Sequence, residues 1–206
     1  MNSEPSIPPV DRSTGSDSAV SARLPGDSGL WIFIIADMGG FALFFLVFAA
    51  GRIESPELYE QSRRMLDVGL GLTNTLILLT SSLFMVRAVE SARAGNRAAI
   101  QRNLILTILI GSGFAITKIA EYTAKGQAGI SMLTNEFFTY YFAFTGIHFL
   151  HFVVGMAALA VCLSKARREE IDDRFVTWIE ATGCYWHMVD LLWIMLFPML
   201  YLLRAA

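Results

Sequence analysis

Residues 137–163 read FFTYYFAFTGIHFLHFVVGMAALAVCL, a run without Asp, Glu, Lys or Arg. A helix needs about 20 predominantly apolar residues to cross the hydrocarbon core of a bilayer, and this run supplies them. Four more stretches do the same. They are Leu30–Gly51, interrupted by Asp37; Val68–Val86, which is uncharged; Asn103–Tyr122, with Lys118 and Glu121 near its end; and Ala181–Leu203, which holds His187 and Asp190. Nothing alternates at period two for the length of a barrel strand. A helix is then the form that satisfies its own backbone groups in lipid. The sequence predicts an all-α integral membrane protein, a bundle of five transmembrane helices.

The composition agrees. The chain is 54% hydrophobic and 17% charged, where a soluble domain carries about 25% charge. Residues 1–29 are rich in Ser and Pro and lack apolar periodicity, which predicts a disordered cytoplasmic tail before a single membrane domain, 30–206. Five crossings put the tail and the second and fourth loops on one side. That side carries Arg12, Arg23, Arg87, Arg93, Arg97, Arg102, Lys165, Arg167, Arg168 and Arg174. The other side carries Arg52, Arg63, Arg64, Lys125 and Arg204, with Lys118 at the membrane edge. The richer side faces the cytoplasm, so the N-terminus is expected inside and the C-terminus outside. Short connections predict that consecutive helices pack as antiparallel neighbours. Glycines inside the spans predict close helix approach, and Pro198 predicts a kink in the last helix. Cys162 and Cys184 read as small apolar residues, not a disulfide.

A carboxylate in hydrocarbon costs at least about 2.5–3.5 kcal/mol, so each polar group at depth demands a reason. Asp37 lies roughly 10 Å into its helix at about 1.5 Å per residue. It serves either a function, proton handling or subunit contact, or packing alone. His148 and His151 share one helix face, as do His187 and Asp190, and Lys118 and Glu121 are spaced for an ion pair. With Asn74, Thr75, Thr80, Ser81 and Ser82 they predict an interior polar network. Three histidines are too few for a haem beside a three-histidine copper centre. Two of them could hold one haem from facing helices, which keeps a free-standing membrane haem protein open as an alternative. A proton or ion transporter working through Asp37, Lys118 and Glu121 is another. No catalytic, cofactor or metal residue is assigned, and no nucleic-acid partner is expected.

Motifs in order carry a resemblance. They are GLWIFIIADMGGFALFF (29–45), TNTLILLTSS (73–82), AGNRAAIQRNL (94–104), KIAEY (118–122), FTGIHFLHFVVG (144–155) and EATGCYWHMVDLLWIMLFPMLYL (180–202). Together they resemble subunit III of the haem-copper (cytochrome c) oxidase superfamily in a five-helix form. Asp37 falls where that family usually has Glu, and Lys118 where Gln often stands. Asn74, Glu121, His148, His151, Glu180, Trp186, His187 and Asp190 fall on family motif positions. Lys118, NEFFTYYF (135–142) and the closing WHMVD and LFP segments are closest to the branch associated with nitric oxide reductase. The resemblance implies an accessory subunit with no redox centre, in the plasma (inner) membrane, beside subunits I and II. Haem with copper or iron is then expected in subunit I. The resemblance also implies a supporting role in proton uptake and a bound phospholipid.

Overall fold

The computed structural model describes residues 28–168 and 170–203. The order is α1 (Ser28–Glu54), α2 (Pro56–Arg63), α3 (Val68–Arg93), α4 (Arg97–Gln127), α5 (Glu136–Arg168) and α6 (Asp173–Phe197). Five helices, all but α2, are long and apolar enough to cross a membrane. Each runs past its predicted apolar segment at one end or both, because polar turns cap a helix without belonging to its lipid-facing length. Asp67, Asn96, Asn135 and Asp172 accept backbone N–H bonds from Leu70, Ala99, Phe138 and Phe175 at 2.7–3.1 Å, as N-cap side chains do. Gly95 (φ 66°) and Gly129 (φ 73°) end α3 and α4 in the left-handed region, where a side chain is disfavoured. The predicted tail 1–29 lies almost wholly outside the described residues.

Helices α3 to α6 form a closed ring in which α3 packs on α4, α4 on α5, α5 on α6, and α6 back on α3. The first span departs from the expected neighbour order. It lies outside the ring against α5 and α6, through Phe44 and Phe45 on Phe144 and Phe33 on Tyr185. Only 11% of its apolar window is buried, against 56% for the last span. The unpredicted α2 is the reason. It turns the chain at the membrane edge and inserts Tyr59 between Phe48 and Phe137.

Glycines at helix crossings admit rings. A Cβ on Gly155 would stand 2.9 Å from the Trp186 ring, and one on Gly71 would stand 2.6 Å from Phe197. Gly39, Gly40 and Gly146 face open space, so they do not serve the close approach expected of them. At Pro198 the helix does not simply end. It widens into a π-helical turn, Pro198–Leu202, closed by Leu203 N–H donating to the Pro198 carbonyl at 2.9 Å. The extra residue per turn accommodates a proline that lacks an N–H and crowds the preceding carbonyl. Both cysteines are free, and Cys162 is buried.

Candidate functional site

The predicted polar network is three separate clusters, each joining different helices. The first lies where α4 ends. Lys118 and Glu121, one turn apart, meet at 2.8 Å with both side chains buried. Tyr201 O–H donates to the other Glu121 oxygen at 3.0 Å, and Lys118 donates to Tyr201 and Tyr141 at 3.2 and 3.4 Å. The ammonium also lies 5.0 Å from the Trp193 ring centroid and 5.2 Å from that of Tyr141, within cation–π range. Lys125 approaches Glu121 at 3.9 Å and the Met65 carbonyl at 3.5 Å. A cavity of about 390 Å³ opens beside Glu121 and Lys125, with Asp67 and Leu70 on its wall. The arrangement surrounds one buried cation with a carboxylate, two phenols and an indole.

The second cluster ties α1 to the ring. Asp37 Oδ1 lies 3.1 Å from His151 Nε2, and His151 Nδ1 lies 2.9 Å from the Ile147 carbonyl. That carbonyl requires the proton on Nδ1, so a neutral ring would meet Asp37 with a bare nitrogen. A proton on both nitrogens, or one on the carboxyl, completes the contact. The second oxygen, Asp37 Oδ2, is buried without a hydrogen-bond partner.

The third cluster lies between α3 and α6. Ser82 Oγ is 2.5 Å from His187 Nδ1, and Asp190 Oδ2 is 3.8 Å from that same nitrogen. Serine and carboxylate share one ring nitrogen, so no serine–histidine–aspartate relay can form, which requires opposite nitrogens. Both Asp190 oxygens are buried without a hydrogen-bond partner. Nearer the helix ends, Arg93 donates to Glu180 at 2.8 Å.

The other predicted residues stand apart. His148 is fully buried, edge-on to Phe114 and tilted over Trp193, with neither nitrogen hydrogen-bonded. The shared face with His151 therefore does not make the two rings act together. Asn74 accepts from the Thr117 hydroxyl. Ser81 donates to the Thr107 carbonyl at 2.9 Å, and Thr75 accepts from Trp193 at 3.1 Å. Thr80 is exposed and bonds its own helix, so it is no part of an interior network. Trp186 packs on Phe152 with its N–H unpartnered. The histidines turn to three different neighbours, and among the described residues no three His, Cys, Asp or Glu side chains gather as a metal site would need. Sequence reasoning missed Lys125, whose spacing of four from Glu121 was visible, and Tyr141 and Tyr201, which only the fold brings to Lys118.

The family model of cytochrome c oxidase subunit III matches residues 17–204. The chain belongs to that family. It is 29% identical over 181 residues to quinol oxidase subunit 3 of Bacillus spizizenii, covering 85% of each chain. It is 30% identical over 179 residues to cytochrome c oxidase subunit 3 of Lumbricus terrestris, covering 84% of this chain and 68% of that one. To the chicken (Gallus gallus) cytochrome c oxidase subunit 3 it is 31% identical over 179 residues, covering 84% and 67%. This subunit III is thus a multi-pass membrane protein of the haem-copper oxidase type, and membership implies partner oxidase subunits. The clusters above are contacts inside subunit III, and membership of that family is consistent with a chain that has no cofactor of its own.

Proposed function

We propose that this chain is a non-redox accessory subunit of a plasma (inner) membrane respiratory complex, N-terminus inside, packed against a haem-copper subunit I with subunit II nearby. It stabilises subunit I and modulates proton uptake; haem, and copper or iron, reside in the partner. The observation that carries this reading is the Asp37–His151 pair. A carboxylate at depth is joined to an imidazole at 3.1 Å while its second oxygen keeps an open acceptor. Such a pair sets a carboxylate and an imidazole within reach of one another inside the span without any redox group. The apolar groove of about 410 Å³ along Leu30, Val154, Ala158, Trp178 and Tyr185 supports phospholipid as a companion. Lys165 stacks over Trp178 at 4.9 Å beside it.

The acceptor of the complex is O2 on the strength of the oxidase relatives. The nitric oxide reductase reading rests on the resemblance of Lys118 in KIAEY to that branch alone. Purification of the tagged chain in mild detergent, with a reduced-minus-oxidised spectrum, tests both. A haem-bearing partner that consumes O2 supports the first reading, and one that consumes nitric oxide the second. A colourless chain alone overturns both and favours the transporter. Haem in the chain alone favours the free-standing haem protein. In the intact complex, Asp37→Asn should leave the haem spectrum unchanged and shorten activity under sustained turnover. Wild-type durability would remove Asp37 from proton handling.

A further inference from the structure

The cavity of about 390 Å³ beside Glu121 lies between the last turns of α4 and the start of α3. The sequence makes the room. Ala120, Ala124 and Ala128 follow at four-residue spacing on its wall, so this face of α4 carries methyl groups where longer side chains would fill the space. Leu70 and Ile130 extend the apolar wall. The volume falls in the range of small-ligand sites, about 300–1,000 Å³.

Three charged residues stand on that wall, Glu121, Lys125 and Asp67. Glu121 is engaged on both oxygens, by Lys118 at 2.8 Å and by Tyr201 at 3.0 Å. Lys125 is held loosely. It meets the Met65 carbonyl at 3.5 Å and Glu121 at 3.9 Å, both longer than a charge-assisted hydrogen bond. Asp67 uses one oxygen to cap α3, and the residue is exposed. Asp67 and Lys125 act on one another through space but do not close an ion pair. An ammonium short of acceptors and a carboxylate with a spare oxygen, on one cavity wall, complement a zwitterion. Beyond the cavity the same face of α4 continues through Ile116 and Leu109, 69% and 65% exposed, which offers an apolar track. A zwitterionic head on an apolar chain is a phospholipid. A primary ammonium can donate to Asp67, whereas a quaternary one has no N–H and is recognised by aromatic faces. No aromatic ring is among the described residues of this wall.

We propose that this cavity binds an aminophospholipid, with its phosphate on Lys125, its primary ammonium on Asp67 and an acyl chain along Ile116 and Leu109. The site is separate from the groove along Trp178 and Tyr185, and it stands whichever complex the chain joins.

The test uses the full chain, purified in mild detergent with whatever accompanies it and placed in nanodiscs. Photoreactive phosphatidylethanolamine or phosphatidylcholine is added, and the adducts are mapped by mass spectrometry. Adducts within 109–130 are expected from the ethanolamine lipid. About tenfold fewer are expected from the choline lipid, the equivalent of one charge-assisted hydrogen bond of about 1.4 kcal/mol. Asp67→Asn keeps a capping side chain and should erase that preference. Lys125→Met should reduce adducts from both lipids, as should Ala124→Leu, which fills the cavity and leaves both charges. Equal labelling by the two lipids on the wild-type chain would overturn the proposal, as would adducts confined to the Trp178 groove. Full displacement by soluble glycerophosphoethanolamine at equal concentration would overturn the lipid assignment in favour of a free headgroup. The comparison of two lipids needs no variant, so a folding defect does not shield the proposal.

Discussion

Asp37 on α1 and His151 on α5 meet at 3.1 Å through a carboxylate oxygen and an imidazole nitrogen. It is a polar contact on a helix that also meets the ring through aromatic and aliphatic side chains. Hydrogen bonds involving charged groups contribute about 1.5–3 kcal/mol. Asp37→Leu should therefore destabilise the detergent-solubilised chain by roughly that amount. In a Leu background His151→Leu should add little, since the two side chains act on one contact. Additive losses in chemical or thermal unfolding would show that each residue works elsewhere.

Lys118→Met should be the most damaging single change in the chain's polar interior. It leaves Glu121 buried and facing two phenols. Breaking a buried pair costs about 3–5 kcal/mol, while replacing both partners with apolar residues is often neutral. The expected loss is about 3 kcal/mol, at the low end of that range, because Lys125 stands 3.9 Å from the orphaned carboxylate. Lys118→Gln, which retains donors, should lose less. Lys118→Met with Glu121→Met should recover most of the stability. A double variant worse than Lys118→Met would contradict this.

Gly155 and Gly146 lie on one helix and predict opposite results. A Cβ at 155 meets the Trp186 ring at 2.9 and 3.0 Å, whereas one at 146 meets nothing within 4 Å. Overpacking costs about 1–3 kcal/mol, and Gly to Ala in a helix gains up to about 1 kcal/mol. Gly155→Ala should lower the melting temperature and Gly146→Ala should hold or raise it. Equal shifts would show that Trp186 moves freely.

The short helix α2 gives a pH signature outside the membrane spans. Hydrogen bonds from Arg63 and Arg64 hold the Glu60 carboxyl down at about 2. The folded value lies below the unfolded one, so the contribution is complete above about 4.3, the ordinary glutamate value. It declines as pH falls below that value, and is lost as pH passes about 2. Arg63 also donates to the Tyr201 carbonyl at 3.1 Å, which links α2 to the turn after Pro198. Glu60→Gln should flatten the stability curve between those two pH values by lowering stability at neutral pH while leaving the acid end little changed. An unaltered acid limb would assign the transition to other carboxylates.

The five spans were legible because lipid enforces length and apolarity, and runs such as 137–163 satisfy both. The Lys118–Glu121 pair was legible for a similar reason, since spacing along one helix fixes it. Helix α2 was not read, although Ser55–Pro56–Glu57 is a helix start. Eight residues with one buried aromatic give too short a pattern to stand out beside membrane spans. Tyr201 and Tyr141 were beyond reach because they reach Lys118 from other helices, at sequence separations of 83 and 23 residues. The placement of α1 on α5 and α6 was missed because adjacency in sequence was taken for adjacency in space, and α2 breaks that link. Thr80 and Ser82 lie two apart, and a helix turns them to different sides, which composition alone does not report.

The ring of α3 to α6 closes only through its last member. During synthesis, Trp186, Trp193 and Tyr201 are the final large side chains to arrive, and they fill the space against Gly71, Gly155 and Lys118. Until they leave the ribosome, the earlier spans hold a cavity and a Lys118–Glu121 pair that lacks its Tyr201 and Trp193 partners. Completion of the chain and completion of its interior are therefore one event, and a chain stopped short of residue 186 presents quality-control machinery with an open bundle rather than a smaller protein.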